Sequence, residues 1–172
     1  MAVALRSKLG LVVEPVYLRK IDRRSDWGDA SDEMFSRASH AESAIFSAED
    51  TFSLFFASTD EELSEVVVGM NSGRSSPTQQ IDFVGFTQTE LDLARIRLTG
   101  TQGDTMCDAA NSLHVDAIPR DGDSFRFLCL SVFASQREPF RISKSEAAEM
   151  LDDMRRRGCK AVAQPPSCEC VK

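Results

Sequence analysis

Hydrophobic and polar residues alternate in several short segments of the chain, and such alternation predicts β-strands with one buried face. The first of these segments covers residues 10–18. Because Pro15 within it has no amide hydrogen to donate to a ladder, we expect this strand at the edge of a sheet. Short apolar and aromatic runs predict further strands at 51–57, 81–86 and 113–118.

A strongly apolar stretch covers residues 125–133, directly after the sequence Pro-Arg-Asp-Gly-Asp at 119–123. Proline and Asp-Gly combinations are typical of hairpin turns. Together the two features predict a turn followed by a core strand. Residues 90–98 fit a helix and a strand equally well, so both alternatives stay open there.

Three other segments carry apolar residues three and four positions apart, which predicts helices at 32–48, 60–71 and 144–157. The third helix has a capping box at its start, in which Ser143 and Glu146 satisfy each other's backbone amides. Two overlapping boxes of the same kind precede the second helix. These local start signals favour the helical interpretation for both segments.

The order of these elements predicts an α+β fold. With 172 residues the chain is long enough to bury a core as one domain, which we place at 1–163, followed by a flexible C-terminal tail at 164–172. We expect a mixed, mainly antiparallel sheet with helices 32–48, 60–71 and 144–157 packed largely on one face. An α/β sandwich is the structural alternative, because the chain opens with a β-α-β-α-β order.

Charge is distributed unevenly along the chain, whose formal net charge is −7. Residues 25–65 contain eleven acidic side chains and one basic one, Arg37, whereas residues 1–24 contain six basic and two acidic ones. A surface of one sign attracts oppositely charged partners and repels the phosphate backbone of nucleic acids. The pattern therefore predicts a basic protein partner and argues against nucleic acid. No span approaches the ~20 apolar residues of a membrane helix, so no membrane partner is expected.

From this asymmetry we predict a non-catalytic protein-binding module, such as an inhibitor, immunity or adaptor protein, that docks a basic partner on an acidic surface. The expected partner-binding residues are acidic side chains of the first two predicted helices and of the segment between them. They are Glu42, Glu49, Asp50, Asp60, Glu61, Glu62 and Glu65.

An enzyme is the alternative function, because Cys107 and His114 offer a nucleophile and a base. A thiolate beside an imidazole can attack a carbonyl, which would make the protein a small cysteine-dependent hydrolase or transferase. Nearness in sequence does not establish that geometry, since catalytic pairs usually come from distant parts of a chain. A buried structural thiol is therefore the default expectation for Cys107.

No cofactor is indicated by any motif in the chain, and no metal site is expected. Structural zinc sites usually have two close pairs of ligands, whereas the chain has one close cysteine pair, Cys168 and Cys170, with Cys159 upstream. The five cysteines are odd in number and lack the paired spacing of a disulfide framework. This usage predicts a reducing, cytoplasmic environment.

Overall fold

The computed structural model describes residues 16–46, 51–71, 79–105 and 107–157, and six strands within these ranges form one sheet. The strands are β1 (Val16–Ile21), β2 (Phe52–Ala57), β3 (Ile81–Thr87), β4 (Ile96–Gly100), β5 (His114–Pro119) and β6 (Phe140–Ile142). Their order across the sheet is β4-β5-β2-β1-β3-β6. Every neighbouring pair is antiparallel, which confirms the predicted α+β class over the α/β alternative.

Six helices accompany the sheet in the described residues. They are α1 (Met34–Phe46), α2 (Asp60–Asn71), α3 (Gln88–Leu93), α4 (Asp108–Ser112), α5 (Ser124–Ala134) and α6 (Lys144–Arg156). The predicted helices at 32–48, 60–71 and 144–157 correspond to α1, α2 and α6 and are confirmed. Residues 90–98, for which two alternatives were open, contain both structures in succession, because α3 ends at Leu93 and β4 begins at Ile96.

Helices cover both faces of the sheet. On one face α1 and α5 pack over Phe52, Leu54 and Phe86, and on the other α2 and α6 pack over Leu18 and Phe83. The prediction that the three helices lie largely on one face is therefore wrong. Because β2 and β3 are apolar at consecutive positions, both faces of the sheet need a covering layer.

The first strand lies in the middle of the sheet, so its predicted edge position is wrong. β1 pairs with β2 on one side and with β3 on the other. Within the described residues, its ladder with β3 runs from Val16 to Ile21. The edge prediction relied on Pro15, which precedes the first residue of β1 in the sequence, and a proline restricts a strand's position only where it takes part in the ladder. Residues 10–15 lie outside the described residues.

The apolar stretch at 125–133 is a helix, α5, and the strand prediction for it is wrong. Its buried side chains follow the i, i+3, i+4, i+7, i+8 spacing of a helix, and they are Phe125, Leu128, Cys129, Val132 and Phe133. Phe127, which a strand would place on the same face as Phe125, is 49% exposed. Because nearly every position in the stretch is apolar, its sequence fits both periods, and packing against α1 selects the helix.

Leu151 tests the packing of α6. It is 9% exposed and lies in a small apolar cluster with Val68, Cys107 and Ala110. We expect Leu151→Ala to lower the free energy of unfolding by about 2–5 kcal/mol, because it removes buried surface and leaves a cavity. Chemical denaturation measures the free energy of unfolding. The control is Asp152→Ala, at the neighbouring exposed residue, for which we expect a change within about 0.5 kcal/mol. An equally small change for Leu151→Ala would contradict the packing of this helix.

Candidate functional site

A groove of about 750 Å³ lies between α2 and α6, which are neighbours on one face of the sheet. We refer to it as the α2–α6 groove. Of its ten lining side chains, six are acidic and two are basic. From α2 they are Asp60, Glu61 and Ser64; from α6 and its C-terminal end they are Glu146, Glu149, Met150, Asp152, Asp153, Arg156 and Arg157.

Capping boxes fix the start of both helices that form this groove. In α2 the Glu62 carboxylate accepts hydrogen bonds from the Thr59 amide at 3.0 Å and from the Ser58 amide at 2.6 Å. Burial alone would raise the pKa of Glu62, but the hydrogen bonds from Ser58 and Thr59 outweigh it and lower that pKa. In α6 the Glu146 carboxylate accepts from the Ser143 amide at 2.8 Å. Glu62 and Glu146 therefore stabilise their own helices.

One arginine connects the two walls of the α2–α6 groove. Arg157 Nη1 donates to Glu61 Oε1 at 2.6 Å, and its Nη2 lies 2.7 Å from Asp153 Oδ2. Arg155 pairs with Asp152 within α6 at 2.9 Å. All of these side chains are partly exposed to solvent, so the individual pairs contribute about 1 kcal/mol or less to stability.

The acidic groups at the start of α2 influence one another. Burial, together with the nearby carboxylates of Glu61 and Glu62, raises the pKa of Glu65, and the Arg157 guanidinium opposes that rise. Burial is the main cause of this shift, the two neighbouring carboxylates add to it, and Arg157 stabilises the charged form of Glu65.

The five predicted partner-binding residues that the structure describes do not form one surface. Asp60 and Glu61 line the α2–α6 groove, Glu62 caps α2 and Glu65 lies one turn further along the helix. Glu42 lies on the opposite face of the sheet, in α1, where its carboxylate accepts a hydrogen bond from Arg126 Nε at 2.7 Å. The remaining two, Glu49 and Asp50, lie outside the described residues.

Sequence reasoning missed the acidic residues that α6 contributes to the groove. Glu149, Asp152 and Asp153 lie three and four positions apart, so they share one face of the helix. This spacing is visible in the sequence. The predicted acidic surface does not include these residues, because it was inferred from residues 25–65 alone. The packing of α2 against α6 is a contact between distant parts of the chain.

The structure places the candidate nucleophile and base in different surroundings. Cys107 is fully buried in the apolar cluster that contains Val68 and Ala110. The Nδ1 atom of His114 lies 2.7 Å from the Thr101 hydroxyl, and its ring packs edge-on against an aromatic ring of β2. A thiol that water and substrate cannot reach has no access to a carbonyl group, so these surroundings do not favour nucleophilic chemistry at Cys107.

The second buried thiol, Cys129, lies beneath α1. Burial, reinforced by the nearby Glu42 carboxylate, raises the pKa of Cys129 to about 12. At neutral pH this group is therefore a protonated thiol that packs as a small apolar side chain.

Cys159, Cys168 and Cys170, for which the sequence predicts no metal site, lie outside the described residues. Within the described parts of the chain, no group of three or more His, Cys, Asp or Glu side chains is arranged to hold a metal ion.

Among the helices described above, none is both long and apolar enough to cross a membrane. No family model matches the chain, and neither a curated protein nor a solved structure matches it.

Proposed function

We propose that this protein is a non-catalytic binding protein that docks a basic segment of a protein partner in the α2–α6 groove, as an inhibitor, immunity or adaptor protein would. The observation that carries the proposal is the composition of the groove lining, which contains six acidic and two basic residues. A basic segment complements this excess of negative charge.

The composition of the groove suits a partner that binds through charge and apolar contact together. Met150 is the one apolar residue among the ten that line the groove, and at 8% exposure it offers a partner a small apolar contact. Charged rims raise the rate of encounter with a partner of opposite sign, and the apolar surface adds affinity once the partner is seated. Because exposed charges are screened beyond ~8–10 Å at ordinary ionic strength, the association rate should fall as salt is added.

Charge reversal on the α6 wall tests the proposal. The variant Glu149→Lys/Asp152→Lys changes two exposed side chains, and the ion pair that Asp152 loses with Arg155 is itself exposed and contributes about 1 kcal/mol or less. With the partner obtained by co-purification from the native host and identified by mass spectrometry, we expect the association rate to fall about tenfold at low salt. Stopped-flow kinetics at several salt concentrations measures both the rate and its salt slope.

A matched control distinguishes an effect of the groove residues from an effect of the protein's net charge. The variant Asp32→Lys/Asp104→Lys makes the same change in charge at two exposed positions outside the α2–α6 groove. We expect it to reduce the rate by less than about twofold, because these charges lie away from the docking segment. Equal losses in both variants, or none in the groove variant, would contradict the proposal.

Two of the originally predicted residues are unsuitable for such a reversal. Glu42 is 17% exposed and pairs with Arg126, so a lysine there would place two cations together. Glu62 accepts hydrogen bonds from two backbone amides at the start of α2, and a lysine cannot accept them. A loss of binding in either variant would therefore be mixed with a loss of stability.

A further inference from the structure

We infer that Arg157 acts as an intramolecular competitor that occupies the α2–α6 groove, and that an arginine of the partner binds by displacing it. The inference rests on the proposed function, since it identifies which group of a basic partner enters the groove. It is carried by the position of one guanidinium group, which reaches from the end of α6 to the wall formed by α2.

The contacts of Arg157 show what the groove can hold. Its two terminal nitrogens go to two different carboxylates, Nη1 to Glu61 at 2.6 Å and Nη2 to Asp153 at 2.7 Å. The planar fork of a guanidinium group spans two acceptors in this way, whereas an ammonium group is a compact point charge. The spacing of these carboxylates therefore suits an arginine of the partner better than a lysine.

The same contacts explain why the competitor can be displaced. The Arg157 side chain is 52% exposed and that of Glu61 is 64% exposed, so water competes for both groups. Exposed ion pairs of this kind are weak, so an arginine of the partner that forms the same two contacts replaces them with little loss of free energy. Arg157 therefore lowers the affinity of the groove for an arginine without closing it.

Binding of fluorescent oligo-arginine and oligo-lysine peptides to the full chain tests this inference. We expect Arg157→Ala to bind oligo-arginine about three- to fivefold more tightly than wild type at low salt, because the competing ion pairs are gone. The gain for oligo-lysine should stay below about twofold. Fluorescence anisotropy measures both affinities, and circular dichroism checks that the fold is intact.

Arg156→Ala is the control, because it removes the same charge from the same groove. Arg156 is 75% exposed and lies 3.6 Å from Asp153 within α6, with no ion pair to α2. If Arg156→Ala and Arg157→Ala raise the affinity equally, net charge explains the gain and the competitor role is wrong, while the proposed function stands. If wild type and Arg157→Ala both fail to bind oligo-arginine, the inference is overturned. A failed reversal at Glu149 and Asp152 would overturn the proposed function separately.

Discussion

Replacement of Trp27 by alanine is expected to lower the free energy of unfolding by about 3–5 kcal/mol. Trp27 is fully buried beneath α1 and α5, and its ring packs edge-to-face on Phe133 with 4.9 Å between the ring centroids. Gly28 follows with a φ of 79°, and a Cβ there would lie 2.7 Å from the Cγ of Arg37. This close packing of Gly28 on Arg37 limits how far the chain at Trp27 can shift into the space that the indole leaves.

An exposed aromatic residue gives the matched comparison for this prediction. Phe35 lies on α1 and is 54% exposed, so Phe35→Ala should change the free energy of unfolding by less than about 1 kcal/mol. Trp27 is the single tryptophan of the chain, so denaturation of both variants should be followed by circular dichroism. A loss below about 1 kcal/mol for Trp27→Ala would show that the 3-10 turn Arg24–Trp27 is not anchored as described.

The elements that the sequence predicted well are those with local start signals. α2 and α6 begin where their capping boxes lie, because a capping box uses only residues within one turn of the helix start. The strands β2 and β3 were equally clear, since short aromatic runs between polar residues allow few other structures. In these segments local sequence and tertiary structure favour the same conformation.

The errors concern information that is not local. The central position of β1 depends on its pairing with β3, which is more than sixty residues away in sequence. No pattern within residues 10–18 indicates that contact. The helix α5 depends on α1, because its apolar side chains fit a strand until the neighbour is known. The sequence indicated in part that helices cover both faces of the sheet, because β3 has apolar residues on both of its sides. In the structure β3 is buried at all seven positions.

The same distinction holds for the candidate site. The acidic start of α2 was evident, but its neighbour α6 begins more than seventy residues after α2 ends and supplies most of the groove lining. Arg37 is an example of a residue whose surroundings the sequence did not predict. It is the one basic residue among the acidic residues of 25–65. Its side chain is 8% exposed, and its Nη2 donates to both carboxylate oxygens of Glu138 at 2.8 and 2.7 Å. Its buried position depends on Glu138, a residue about one hundred positions away that no local pattern connects with it.

Removal of the Arg137 guanidinium is expected to lower the free energy of unfolding by about 3–5 kcal/mol in the variant Arg137→Leu. Arg137 forms an ion pair with Glu90, and the two side chains are 12% and 11% exposed. Its Nη1 also donates to the Gly85 carbonyl of β3 at 3.1 Å. The variant therefore leaves a buried carboxylate without its counter-ion and a strand carbonyl without this donor, and both are costly away from water.

A double-mutant cycle identifies the buried charge as the cause. Glu90 also accepts a hydrogen bond from the Thr87 amide at 2.9 Å as the cap of α3, and a glutamine oxygen can still accept it without the charge. Arg137→Leu/Glu90→Gln should therefore be more stable than Arg137→Leu by about 1–3 kcal/mol, although it carries one substitution more. Arg156→Leu, at an arginine that is 75% exposed, should change stability by less than about 0.5 kcal/mol in the same urea titrations. If the changes in unfolding free energy from Arg137→Leu and Glu90→Gln are additive, the ion pair does not stabilise the contact between α3 and the segment after α5.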